Sequence, residues 1–403
     1  MSRPSMPLRI PALLLAMVLL ITACGSEPEE DQGAAEPAGT AAEPTGEEQD
    51  PATDAAADEE PAAAPTTYEE IMVDLEGLSA DERWDRLVEL AEQEEGTFTV
   101  YATISGDEIG PVMEDFVATT GSSEIDADHY RSGSVELLER ITQEAEAGQP
   151  GADAVVTIAI DLGLLGNEGL LQPFTTPVTD DFPEDLVFDD WAGIYINAYA
   201  PVRNTDLVSE EEAPRTWEEL LSYTAQPVGI ELQSYDMFAT LITRHFMEQE
   251  GLSEEEAVAL FTGAEADLIP TRGRDPLAEF TAAGEYGIAI GTYTQSISGI
   301  EGAGAPIAWE PPVEPLVRRP NGVAVMADSE MPATALLFAD YMLDQDGQEM
   351  LASFDRIPTN PAVEGGLPEE YDVSTVDVER ILENREKWID LYAQVTGEPA
   401  EGS

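Results

Sequence analysis

From Thr97 onward, short apolar runs alternate with stretches of helical spacing, and this alternation constrains the fold more than any other feature. Thr97–Tyr101 reads as a strand, Ala102–Gly106 as a turn, and Ile109–Thr119 as a helix with Val112, Met113, Phe116 and Val117 on one face. Glu124–His129 follows as a strand and Ser134–Ala147 as a helix carried by Leu137, Leu138 and Ile141. Ala152–Thr157 is a third, almost continuously apolar strand. Apolar strands separated by helices of about 10–15 residues point to βαβ units on a parallel sheet. The pattern restarts later, with a helix over Thr216–Tyr223, a strand over Pro227–Leu232 and helices over Met237–Glu248 and Ser253–Thr262. Strands at Tyr286–Tyr293 and Gly322–Met326 follow, then helices at Met331–Asp344, Gly347–Ser353 and Leu382–Val395. Two α/β halves with no repeat period predict two lobes with a cleft between them. The chain carries no GxGxxG fingerprint and no P-loop.

The residues before this body read differently. Arg3 and Arg9 precede an apolar run over Ile10–Thr22, too short for a membrane span and typical of a secretory leader. Ile21-Thr22-Ala23-Cys24 resembles a bacterial lipobox, so residues 1–23 are expected to be a cleaved lipoprotein signal and Cys24 the lipidated first residue. Residues 24–67 form an acidic linker: beyond Cys24 they contain Gly, Ala, Ser, Thr, Pro, Gln, Asp and Glu, nothing that could build a core. Residues 68–95 are an N-terminal helical extension, with Ile71, Leu75 and Leu78, then Trp84, Leu87, Val88 and Ala91, at helical spacing. Ser79 and Glu82 stand as a capping box.

Charge excludes one class of partner outright. The 403 residues hold 83 acids against 17 basic residues, a formal charge of −66, with Lys387 the sole lysine. Nucleic acid needs a positive face, so it is no partner. Self-repulsion on this scale is best tolerated where salt screens it, which suggests a salt-adapted bacterium. One cysteine excludes an intrachain disulfide framework.

Three turns have the chemistry of an anion cradle, since loops at strand ends that open helices offer free N–H groups. They are Ser105-Gly106, Arg131-Ser132-Gly133-Ser134 and Gln233-Ser234-Tyr235-Asp236; plain helix capping by Ser or Asp is the alternative. Tyr293, in Ile290-Gly291-Thr292-Tyr293-Thr294, is the sharpest single residue, against a sheet-end tyrosine packed on a helix. Arg318-Arg319 and the pair Arg272 and Arg274 could each meet an anion or pair with carboxylates. His129 and His245 read as surface or capping residues. Paired-carboxylate hydrolysis carries no weight, because chance pairing is expected among so many acids.

The order of the pieces is also informative. Thr99–Ser105, Glu136–Ile141 leading to Gly151–Val155, Asn167–Phe174, Pro214–Leu221, Arg319–Val325, Ala335–Met342 and Ile357–Pro361 follow one another at family-like spacing. From about Gly96 to Leu391 the chain resembles the type II periplasmic-binding-protein-like fold, and within it the solute-binding proteins of ABC importers in the ferric-iron-binding group. The resemblance implies lobe 1 over 96–197 and 307–403 and lobe 2 over 198–306, with crossings near Tyr195–Ala200 and Ala305–Trp309. It implies a lipid-anchored, extracytoplasmic, monomeric receptor rather than an enzyme, delivering a small solute to a permease and its ATPase partner. The solute would be ferric iron, its complex or another small anion, and no resident cofactor is implied. Ferric-binding relatives usually carry two adjacent tyrosines and often a histidine in the first turn, whereas here Thr294 follows Tyr293 and Ser105-Gly106 fills the turn. Tyr293 is thus a metal ligand only if the guest is Fe³⁺. A non-catalytic adhesion or scaffold lipoprotein, and less so an exported carboxylate-dependent hydrolase, are the rival readings.

Overall fold

The computed structural model describes residues 64–398; the leader, Cys24 and the linker as far as residue 63 lie outside them. Eleven strands form one mixed sheet: β1 Phe98–Ala102, β2 Ala127–Arg131, β3 Ala154–Ile158, β4 Ala192–Asn204, β5 Val228–Glu231, β6 Leu268–Thr271, β7 Ile288–Tyr293, β8 Ile307–Ala308, β9 Leu316–Val325, β10 Ile357–Pro358 and β11 Val373–Thr375. The main path runs β2-β1-β3-β9-β4-β7-β5-β6, with β8 and β10 on β4 and β11 on β9. β2, β1 and β3 are parallel, as are β6, β5 and β7, so each end of the sheet is a βαβ array.

Two long antiparallel strands join the arrays. β4 pairs with β9 from Ala192↔Val323 to Tyr199↔Val317, then with β7 from Tyr199↔Tyr293 to Arg203↔Ile288. The far end of β9 pairs with β3 over residues 321–325. The first crossing segment, 195–200, therefore lies inside β4. Ile307 and Ala308 instead form β8 on the far end of β4, and the chain returns along β9. The intervening Glu310–Pro315 holds three prolines, which lack N–H groups for a ladder. Pro320 is tolerated within β9 because it falls between the β11 pairing, which ends at Arg318, and the β3 pairing, which begins at Asn321.

Packing divides the C-terminal span. Phe98, Phe116 and Phe338 meet at ring distances of 5.2–6.0 Å in the first array's core. The last helix, Arg385–Thr396, buries Trp388 and Tyr392 against Phe238 of the second array, at 6.3 and 5.6 Å. Residues 307–398 thus contribute to both halves. The apolar stripe Trp388, Ile389, Tyr392 has helical spacing and takes the face it fits.

The extension before the first strand covers a particular surface. Helix Pro332–Leu343 is buried at all twelve positions, and a helix apolar all round needs neighbours on every side. Helices Tyr68–Asp74 and Ala80–Ala91 supply one side, both opened by capping boxes, at Thr67/Glu70 and Ser79/Glu82. Glu94 then accepts from the N–H groups of Ala333 and Thr334 (2.8 and 2.9 Å), closing the start of the buried helix. Among the described residues, no helix is long and apolar enough to cross a membrane.

Candidate functional site

The register of the two long strands builds the floor of the site. Tyr195 lies opposite Asn321, Asn197 opposite Arg319, and Tyr199 opposite Tyr293. Side chains alternate along a strand, so Arg319 and Asn321 share one face and Arg318 takes the other. Arg318 accordingly donates to Thr375 Oγ1 at 2.7 Å and meets Asp185 at 3.4 Å, away from this floor. Arg319 donates to the Tyr293 hydroxyl and to Asp236 Oδ2 (3.4 Å).

The second array supplies the wall. Glu231, fully buried at the end of β5, folds back to accept from Gln233 N (2.7 Å) and Ser234 Oγ (2.9 Å). Its other oxygen accepts from Gly273 N at 3.4 Å, so one carboxylate organises the turns after both β5 and β6. Gly291 makes this possible: its φ is +98°, and a Cβ there would lie 2.7 Å from Glu231 Cβ and 2.8 Å from Ser234 Oγ. Arg274, opening the helix Arg274–Ala282, donates to the Tyr199 hydroxyl (3.1 Å) and Ser234 Oγ (3.4 Å), and lies 3.5 Å from Glu231. Tyr199 in turn donates to Asp236 Oδ1 at 2.9 Å.

Two guanidinium groups therefore flank two tyrosine rings whose centroids are 4.9 Å apart. Arg274 lies 4.8 Å from the Tyr293 ring and 5.5 Å from Tyr199; Arg319 lies 5.2 and 5.3 Å from the same rings. Burial pushes the Tyr199 hydroxyl up to about 12, so it stays a phenol at neutral pH. Burial opposes the Arg274 cation, but its hydrogen bond to Tyr199 and the charges of Glu231 and Asp236 outweigh it and hold it charged. Several donors nearby have no partner among the described residues: Arg319 Nε, Arg274 Nε and Asn321 Nδ2. Unpaired buried donors are costly, and forked cations suit oxyanions, so the arrangement, called the clamp below, has the chemistry to grip an anion.

The first array contributes more loosely. Ser105 opens the helix Gly106–Thr120 without a side-chain capping bond, and Gly106 is exposed. Arg131, exposed at the end of β2, donates from Nε to the Ile104 carbonyl at 3.3 Å, placing the two turns side by side. Ser132 donates to the Gly133 carbonyl at 3.3 Å, while Gly133 and Ser134 begin the helix to Ala147. A chain of contacts links this region to the clamp. Arg356 pairs with Glu108 at 2.8 Å and donates to Asn197 Oδ1 at 3.4 Å, and Gln295, two residues after Tyr293, donates to that same oxygen.

Of the turn residues marked in the sequence, Ser234, Asp236 and Tyr293 meet directly in the clamp. Tyr235 is half-buried beside Arg385, with its hydroxyl pushed up to about 12 by burial. Ser234 spends its hydroxyl on Glu231 rather than on a helix cap. The sequence does not single out Tyr199, Asn197 or Asn321 as site residues, and it leaves Arg274 and Arg319 with two possible uses. His245 bonds Gln249 at 3.0 Å, and no group of three or more His, Cys, Asp or Glu is arranged to hold a metal among the described residues. Two open grooves, of about 610 and 630 Å³, lie elsewhere, along residues 184–191 and 373–383; they share Val187, Phe188, Val378 and Glu379 and include none of the clamp residues.

Fold and family are now both defined. The architecture is that of periplasmic binding proteins: iron-bound HitA from Pseudomonas aeruginosa superposes with a TM-score of 0.61 at 18% identity, over 75% of this chain and 99% of that one. The binding protein AfuA from Actinobacillus pleuropneumoniae, with fructose-6-phosphate bound, gives 0.61 at 20% identity, over 77% and 100%. Apo ferric ion-binding protein A from Pasteurella haemolytica gives 0.62 at 19% identity, over 77% and 100%. The family model for bacterial extracellular solute-binding proteins matches residues 112–372, and the chain belongs to that family. Its place is accordingly outside the cytoplasm. No curated protein sequence matches the chain.

Proposed function

We propose that this chain captures a small anionic solute at Arg274 and Arg319 and passes it to an ABC permease and its ATPase, without chemistry of its own. The single observation that carries the reading is the clamp itself, with two guanidinium groups on paired tyrosine faces and partnerless donors on the same floor. The turns of the first array, Ser105-Gly106 and Arg131–Ser134, are the surfaces that would close over the guest, with 198–306 as the core of the opposing lobe. Cys24 would hold the molecule at the membrane through its lipid, residues 24–67 serving as the leash. Labelled fatty acid fed to an expressing bacterium should appear on the protein and vanish in Cys24→Ser; equal labelling of both would remove the anchor.

A ferric guest is favoured by one feature, the Tyr199–Tyr293 pair, which supplies across strands the second tyrosine missing at Thr294. Against it, both hydroxyls accept from arginines, and a cation placed between guanidinium groups is repelled. A thermal-shift panel separates the two. A ligand that binds only the native state at a hundred times its Kd stabilises by about 2.7 kcal/mol. The expected result is a clear rise in Tm with an oxyanion such as sulfate, phosphate, a phosphonate or a sugar phosphate, and none with polyamines. Fe³⁺ alone should give no phenolate colour. A coloured ferric complex that Tyr293→Phe abolishes would reverse the assignment, and silence across every solute would favour an adhesive or scaffolding role.

A further inference from the structure

We propose that capture of an anion at Arg274 and Arg319 takes up one proton, and that Asp161 receives it; this rests on the anion reading above. With Asp161 ionised, the buried charges around the clamp balance. Arg274, Arg319 and Arg385 stand against Glu231, Asp236 and Asp161, and the three carboxylates are at least nine-tenths buried. An anionic guest would leave a surplus negative charge in a poorly solvated place, which is far more costly than neutralising one acid.

Geometry selects the acid. Glu231 is held by Ser234 Oγ, two backbone N–H groups and Arg274. Asp236 is held by Tyr199, Met237 N and Arg319. Asp161, in the first turn of the helix Ala159–Asn167 that follows β3, accepts from the neutral Thr157 hydroxyl at 3.0 Å. Among the described residues it forms no salt bridge. The charged groups acting on it from neighbouring elements are Arg319 on β9, Arg385 at the start of the last helix, and Asp236 from the second array. The two other helices packed on its own, 134–147 and 378–382, put Leu137, Ile141 and Val378 into the same apolar core, and Val378 and Leu382 meet it at Gly163. Burial is the main influence and pushes the Asp161 carboxyl up to about 7, with Thr157 and the arginines pulling it back. A buried carboxyl raised this far, with only a neutral hydroxyl as its hydrogen-bond partner, can accept a proton near neutrality at little cost. A guest on Arg319 removes part of the pull that keeps Asp161 ionised, so binding and protonation favour each other.

The sign follows. Below about pH 7 Asp161 is already protonated and affinity should be flat. Between that value and the higher one Asp161 takes with the anion bound, each bound anion brings a proton, so affinity should fall by up to tenfold per pH unit, the slope of a one-proton linkage. Sulfate is the probe, because its own charge does not change between pH 5 and 9. Calorimetry of the mature chain with sulfate at pH 8, in buffers of different ionisation enthalpy, should return close to one proton taken up, and none at pH 5.5. Asp161→Asn, which fixes the neutral form, should bind sulfate with the same affinity at both pH values. Sulfate binding with no proton uptake in the wild type would overturn the coupling and leave the anion clamp standing. Absence of sulfate binding at any pH would instead bring down the clamp reading and the coupling with it. Should Asp161→Asn fail to fold, the wild-type proton count alone decides.

Discussion

Replacing Arg319 by methionine should destabilise the protein by about 3–5 kcal/mol and abolish the thermal shift with sulfate. The loss of stability comes from what remains behind. Asp236 is 2% exposed, and Arg319 is the cation at its Oδ2, so removal leaves a buried carboxylate without its counter-charge. Tyr293 also loses its donor, and the packing of two rings against the guanidinium disappears. The double variant Arg319→Met, Asp236→Asn separates the two effects. Tyr199 can still donate to the asparagine oxygen, and no buried charge is stranded, so most of the stability should return. Sulfate binding should not return, because the forked donor is gone. Urea midpoints for the wild type and both variants, with sulfate titrations beside them, are the measurements. Undiminished sulfate binding by either variant would show that the guest sits somewhere else.

Much of this fold could be read before any coordinates. The strands around Val100, Val155 and Ile230 and the helices after them announce themselves by periodicity, because parallel strands buried on both faces must be continuously apolar. The capping box at Ser79 is a local signal and holds locally. The elements that escaped are those whose role is set at long range. β4 is thirteen residues long and buried almost throughout, yet Ala192–Asn204 mixes glycine, asparagine, tyrosine and proline, since one strand must serve two cores and the hinge floor in turn. β9 begins six residues earlier than its apolar run suggests, because Arg318, Arg319 and Pro320 look like a loop and become a strand only through pairing with β4 and β11.

The site was legible in part for the same reason. Ser234, Asp236 and Tyr293 sit at ends of recognisable strands, where the topology gathers binding residues. Tyr199 comes from the middle of the strand that the sequence disguises. Arg319 carried a usable signal: two residues before Asn321, the alternation of a strand would put both on one face and send Arg318 to the other. That inference needed the strand to start at Leu316, and nothing local says so. Gly291 likewise reads as an ordinary small residue until the approach of Glu231 and Ser234 shows why a Cβ is excluded.

The largest effect outside the site should come from Arg83, in a part of the chain that precedes the family match at residues 112–372. Its Nε lies 2.6 Å from Asp340 Oδ2, and both side chains are 3% exposed. Arg83→Met is expected to cost about 3–5 kcal/mol near pH 8, since it strands the Asp340 carboxylate inside the apolar helix Pro332–Leu343. The carboxyl is already raised by burial, with Arg83 pulling against it; without Arg83 it should rise further. Protonation then relieves the penalty, so the deficit of the variant should shrink as pH falls toward 5. Arg83→Met, Asp340→Leu should recover most of the loss, because two apolar groups can replace a buried pair. Arg86→Met is the control: its partners Asp74 and Glu89 are partly exposed, and such pairs contribute about 0–1 kcal/mol. Tyr68 donating to the Pro173 carbonyl and Glu94 capping the buried helix tie the extension to the first core at two further points. Loss of Arg83 should therefore lower the single unfolding midpoint of the whole body. A separate early transition confined to residues 64–95, detected by proteolysis while sulfate still shifts the main one, would show the extension to be an appendage rather than a wall of that core.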